Sequence, residues 1–355
     1  MIREERIVTL DILRGLALFG MILVHFHQRM EIPSSGIEDI VGWVIWMGLE
    51  TKSWATFALL FGAGFAILMR RAEARGLRVV PLFLRRMLML GIIGAAVQVL
   101  TGFHILIEYA IWGVPLLFIR NAPTKLLLAI ALVAAAAMSV YSTFSPYSRG
   151  PYWQQLKDVE EHGTFTQAVT VRAQDMRWQY AQPRAFIPGS SFVLFILGLL
   201  AVRHRVFDDP RSKRSLIIGA MLFGLLSWAI VWFVLPKIGI EDGYGIISEQ
   251  WLALTYIGAI VLLVESRPWW AGRLSAFAKT GRMALTNYVL QAAILSLLAC
   301  GYGLGLRIRP WLELPAAILL FLILFFLSTF WLRRFAYGPL EGIWRSFTYW
   351  RFQGE

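Results

Sequence analysis

Asp11, Arg14 and His25 interrupt a mostly apolar segment near the start of the chain, LDILRGLALFGMILVHFHQRM. At 100° per residue, the eleven steps from Arg14 to His25 bring the two within roughly 20° of each other on a helix, about 16 Å apart along its axis. Asp11 stands one turn before Arg14 and can pair with it. All three fall on one stripe. A guanidinium facing lipid costs at least ~2.5–3.5 kcal/mol at mid-membrane, so the stripe is expected to face the bundle interior or a wet cavity. There an imidazole can take a proton from a hydroxyl or amine, or carry a transferred group. A guanidinium can hold phosphate. The plainer use is an ion pair fixing helix packing, with an interfacial histidine beyond it.

Other polar residues sit in apolar surroundings. His104 and Glu108 are four apart, followed by Tyr109, and such a pair could orient an imidazole. Asn287 and Gln291 share a helix face, where amides commonly bond between helices or line a site. Lys52 and Ser53 are expected to cap the second helix at its outer end. Glu341 lies near Arg333, Arg334 and Arg345 and reads as an interfacial anchor. His25 and His27 are two apart and point to different sides of a helix, a poor metal pair, so no metal is expected.

The elements that must position these residues are membrane helices. Of 355 residues, 58% are hydrophobic and 16% charged, with a mean hydropathy of +0.62. One soluble core cannot hide that much apolar side chain. Repeated apolar runs of about 17–25 residues read as an all-α polytopic membrane protein. Ten spans are expected, near 8–26, 53–69, 87–102, 104–119, 124–141, 186–202, 215–235, 250–265, 283–300 and 311–332. The segments 70–86, 203–214 and 266–282 are basic, as are Arg333 and Arg334, and an even number of spans puts them on one side. The positive-inside rule makes that side cytoplasmic, with both termini. It also accounts for the net charge of +12 without nucleic acid. The whole chain, 1–355, reads as one integral membrane domain. It divides into a five-helix half (1–141), an extracytoplasmic segment (142–185) with an amphipathic helix, and a second five-helix half (186–355). The apolar stretch 37–50 could be re-entrant, interfacial or part of an adjoining helix. Small-residue patches at 62–64 and 91–95 suit close helix packing. The single Cys300 excludes an internal disulfide, and no P-loop, dinucleotide fingerprint or G-x-S-x-G is present.

The motifs LDILRGLALFGMILVHF, KSWATFALLFGAGFAIL, ILIEYAIWG, GRMALTNYVLQ, CGYGLGL and FWLRRFAYGPLEGIWRSFTYWRF follow one another through nearly the whole chain. Together they resemble the YeiB-like membrane proteins, whose C-terminal half is a domain of unknown function, DUF 418. That family resembles a wider superfamily of transmembrane acyltransferases, including the lysosomal heparan-glucosaminide acetyltransferase and sugar O-acyltransferases of bacterial envelopes. Three departures stand out: His25 where many YeiB-like sequences have Asn, His104 in place of the usual Asp, and GIIG where a Gly-x-x-His is expected.

The resemblance implies a transmembrane acyltransferase-like bundle in a bacterial inner membrane. It implies an acyl group moving from cytoplasmic acyl-CoA, acetyl-CoA among the donors, to an extracytoplasmic glycan, lipid or small molecule. The Arg14–His25 spacing matches that of the envelope acyltransferases, which implies His25 as base or acyl relay and Arg14 as a phosphate or structural contact. Arg85 and Arg86 join Arg14 as candidates for the donor phosphates. Asp11, Lys52, His104, Glu108, Tyr109, Asn287 and Gln291 are the candidates for substrate contact. Membrane lipids, acyl-CoA and the acceptor are the expected partners, and homodimer formation is left open. The rival readings are a carrier or flippase using the same polar cavity, and a lipid-binding protein without catalysis.

Overall fold

A computed structural model describes residues 7–30, 36–144, 150–182, 185, 189–239, 248–267 and 269–349. Both termini, whose side of the membrane was expected from loop charge, lie outside the described residues.

The described secondary structure is helical. Among the described residues, seven helices are long and apolar enough to cross a membrane: α1 (Val8–Met30), α2 (Ile37–Ala74), α3 (Val79–Thr101), α5 (Thr124–Phe144), α9 (Arg214–Phe233), α10 (Leu252–Ser266, entered through a short turn, Glu249–Trp251) and α14 (Pro310–Leu332). An eighth arises if α12 (Ser275–Arg282) and α13 (Ala284–Ala299) form one span, bent by 86°. The remaining apolar helices, α4 (Leu106–Ile119) and α8 (Ser190–Arg203), have 14 residues each. At 1.5 Å per residue each is about 21 Å long, short of a ~30 Å hydrocarbon core. Apolar helices thus occupy all ten expected segments, but length alone supports seven or eight crossings.

Other boundaries differ as well. The stretch 37–50 is the first part of α2, a 38-residue helix. Lys52 and Ser53 therefore sit mid-helix rather than at its cap. The basic segment 266–282 contains α11 (Trp269–Arg273) and α12. The segment 142–185 holds two helices, α6 (Trp153–His162) and α7 (Phe165–Ala181). Their break comes from local chemistry: after Gly163, Thr164 Oγ1 accepts from the Gln167 amide, and Gln167 Oε1 accepts from the Thr164 amide, a capping box. A last amphipathic helix, α15 (Pro339–Tyr349), packs on α3.

Close packing at glycines centres the bundle on α1 and α2. A Cβ at Gly62 would lie 2.1 Å from the Phe195 carbonyl oxygen, and one at Gly198 would lie 1.9 Å from that of Leu59. Helices α2 and α8 therefore touch backbone to backbone, the use expected of the 62–64 patch. Helices α1 and α12 meet the same way at Gly15 and Gly281.

Candidate functional site

Helix α1 carries its polar stripe into the interior. Arg14 Nη1 donates to Asp11 Oδ1 at 3.0 Å, the expected one-turn pair. Met21, seven residues after Arg14, falls on the same face, and His25 follows one turn later. Arg14 and Met21 line a cavity of about 270 Å³.

Its two ends differ in chemistry. At one end stand Arg14, Arg86, Arg282, Glu341 and Trp344. The Arg86 guanidinium lies 3.5 Å from the Trp344 ring centroid, and Trp344 Nε1 donates to the Arg86 carbonyl at 2.8 Å. The cavity continues between apolar walls from α2, α3 and α13, among them Phe57, Phe61, Phe65, Phe83, Leu90 and Leu285. Ile105, Leu106, Tyr109 and Tyr288 complete its lining. The Tyr109 hydroxyl donates to the Trp54 carbonyl at 2.9 Å, and the Tyr288 hydroxyl is bonded to the Ile105 backbone.

The break between α12 and α13 delivers Gly281, Arg282, Leu285 and Tyr288 to this wall. Breaking a helix within a membrane leaves backbone groups that must find partners. Asn287 Nδ2 donates to the Thr280 carbonyl at 2.9 Å, and Glu341 accepts from the amides of Leu285 (2.8 Å) and Thr286 (3.1 Å). Glu341, expected as an interfacial anchor, thus caps α13 in the cavity wall. Asn287 also bonds Ser328 Oγ at 2.9 Å and is engaged between helices rather than in the cavity wall.

His25 lies just outside the cavity. It is buried, its ring centroid is 4.2 Å from that of Phe103, and Nδ1 has no hydrogen-bond partner among the described residues. The turn after α3, residues 102–105, touches both the cavity and His25. Ile105 faces the cavity while Phe103 covers His25.

The other candidates scatter. His104 is exposed on that turn and precedes α4, so it shares no helix face with Glu108, which accepts from Ser191 Oγ at 2.6 Å. Lys52 is fully buried and pairs with Glu249 at 3.1 Å, away from the cavity wall. Gln291 is fully buried, with neither amide atom bonded among the described residues. Arg86 lines the cavity and its neighbour Arg85 does not. Arg282 and Tyr288 were missed. Both stand in GRMALTNY, where Arg282 counted only among the basic residues of 266–282 and Tyr288 was not singled out. Only the helix break turns them inward. Among the described residues, no three His, Cys, Asp or Glu side chains gather as a metal site.

Beyond the turn lies an ion network. Arg29 Nη1 donates to Glu160 Oε2 at 2.8 Å, and Arg172 donates to Glu160 Oε1 from Nη2 (2.8 Å) and Nε (3.0 Å). Burial alone would raise the Glu160 carboxyl, but Arg29 and Arg172 hold it below its ordinary value.

Residues 6–153 match the family of the heparan-alpha-glucosaminide N-acetyltransferase catalytic domain. Residues 201–351 match DUF418, a protein family of unknown function. Among curated relatives, the uncharacterized protein YxaH of Bacillus subtilis (strain 168) is 30% identical, with 98% of this chain and 95% of the relative covered. An uncharacterized 39.9 kDa protein from the amylase 3' region of Bacillus acidopullulyticus is 27% identical, covering 98% and 94%. The uncharacterized protein YeiB of Escherichia coli (strain K12) is 26% identical, covering 97% and 96%.

Proposed function

The chain belongs to the YeiB-like, DUF418-containing family of multi-pass membrane proteins, related to the transmembrane acetyltransferases, and from that membership we propose that it transfers an acyl group from cytoplasmic acyl-CoA to an acceptor on the other side of a bacterial inner membrane. The observation that carries the reading is the cavity: three arginines at one end, an apolar passage, and His25 one turn beyond Met21 on the helix face that also bears Arg14.

The chemistry follows from that order. Arg14, Arg86 and Arg282 hold the donor's phosphates by charge-assisted hydrogen bonds. A cavity of about 270 Å³ is just short of the ~300–1,000 Å³ that drug-sized ligands occupy. It suits an acyl-pantetheine arm, with the nucleotide left at the arginine end. From Arg14 to His25 the reach is about 16 Å. His25 takes the proton of an acceptor hydroxyl or amine as its oxygen or nitrogen attacks the thioester carbonyl. The C–S bond breaks, and the proton passes to the departing coenzyme A thiolate.

The bent α12–α13 pair favours a second reading, because carriers bind their cargo at discontinuous helices. Protein in liposomes, given labelled acetyl-CoA and longer acyl-CoAs, separates the two. Acyl-CoA-dependent release of coenzyme A that is lost in a folded His25→Ala variant is the outcome expected of the enzyme. No acyl-CoA binding and no coenzyme A release from any donor, in a folded sample, moves the assignment to a carrier.

A further inference from the structure

The turn that lines the cavity with Ile105 and covers His25 with Phe103 is held by side chains from α1, α6 and α7. Its first residue, Gly102, ends α3 with φ +83°, a conformation glycine takes without strain. There is no room for more: a Cβ at Gly102 would lie 2.6 Å from Arg29 Nη2, 3.1 Å from Glu160 Oε1 and 3.3 Å from Arg172 Nε. The ion network therefore sits directly on this turn.

Each member of the network fixes part of it. Arg172, on α7 and 2% exposed, donates to the Leu100 carbonyl at 2.8 Å, just before the turn. It also donates to Tyr302 Oη at 3.1 Å. Arg29, at the end of α1, lies 4.8 Å from the centroid of the Phe103 ring, and Phe103 in turn covers His25. Glu160, on α6, binds both guanidinium groups, one with each oxygen, and its carbonyl accepts from the Gly301 amide at 2.8 Å. A continuous chain of contacts thus runs from Glu160 through Arg29 and Phe103 to His25.

We infer that Glu160 is a positioning residue that latches the 102–105 turn shut, with Phe103 as the plug between the donor cavity and His25. The inference rests on the proposed role of His25. It adds that the α6–α7 hairpin must loosen before donor and His25 meet, so access to the reacting centre is controlled from the end opposite Arg14, Arg86 and Arg282. Closed, the turn keeps water and premature acceptors from a bound thioester. Opened, it joins the cavity to the polar end of α1.

The test reads the partition itself and needs no acyl-CoA, so it stands whether or not coenzyme A release is seen. A His25→Cys reporter is placed in the full chain with Cys300→Ser, in lipid nanodiscs. It is labelled with a small charged thiol reagent, and hydrogen exchange over residues 100–106 is followed in parallel. Glu160→Gln is expected to speed labelling by about tenfold or more, the scale of one hydrogen bond to a charged group. Glu160→Asp, which keeps the charge, stays nearer the parent rate. Phe103→Ala speeds labelling while α6 and α7 keep their exchange protection, and this arm decides the matter if Glu160→Gln does not fold. Folded Glu160→Gln labelling at the parent rate, or Phe103→Ala doing so, overturns the latch. So does faster exchange in α6 and α7 with residues 100–106 as protected as before.

Discussion

The two ends of α1 use arginine in opposite ways. Arg14, near its start, bonds one carboxylate a turn away and faces a cavity shared with Arg86 and Arg282. Arg29, near its end, is committed to Glu160 and Phe103. The companion of Arg29, Arg172, commits all its nitrogens to Glu160, Leu100, Tyr302 and Cys300. A guanidinium whose donors are used up inside the protein builds structure. One that opens on a cavity can spend donors on a ligand. Mutations at the two ends should therefore separate stability from binding.

The largest effect is expected at the committed end. Arg172→Ala leaves Glu160 with one partner and the Leu100 carbonyl with none, and should destabilise the protein by about 3–5 kcal/mol. Thermal unfolding in detergent checks this, and a loss under about 1 kcal/mol would break the contrast. At the cavity end, Arg86→Gln should weaken acyl-CoA binding about tenfold or more, the scale of one charged hydrogen bond, with little change in melting temperature. Equilibrium binding beside a melting curve measures both, and equal losses in the two would merge the regions.

A pH series sharpens the comparison further. Glu160 is depressed in the folded state, so its stabilising share is fully present above its unfolded value of about 4.3. It is lost as pH falls through the lower folded value. Exchange protection of α6 and α7 should hold from pH 7 to about 5 and fall below about 4, while Glu160→Gln flattens that dependence. Flattening would be absent if other groups carried the acid response. The smallest effect is expected at Gln291, whose buried amide lacks a partner among the described residues. Gln291→Leu should be neutral or stabilising by about 1 kcal/mol in the same melts. A loss of donor binding in that variant would instead place the amide in the site.

Much of the site was legible in the stripe itself. The Asp11–Arg14 pair and the inward face of α1 follow from helical spacing and from the cost of a lipid-facing guanidinium. The motifs carried the family. Lys52 misled because an apolar segment of 14 residues before it looked separate from the next helix, yet α2 runs unbroken through both. Glu341 misled because charge near arginines suggests an anchor, and nothing local says that its carboxylate caps a helix more than fifty residues earlier in the chain.

The sequence by itself determined a helical membrane protein, its order of apolar segments, its family, and the alignment of Arg14 with His25. These are periodic or compositional properties, set by the 3.6-residue turn and by the cost of exposing polar groups to lipid. Only the tertiary structure decided that α12 and α13 break at 86°, that Arg86 and Arg282 line one cavity with Arg14, and that Phe103 packs on His25. Those outcomes depend on contacts between residues far apart in the chain. Gly102 shows why: its spacing says only that a helix ends there, while the three side chains crowding it come from α1, α6 and α7.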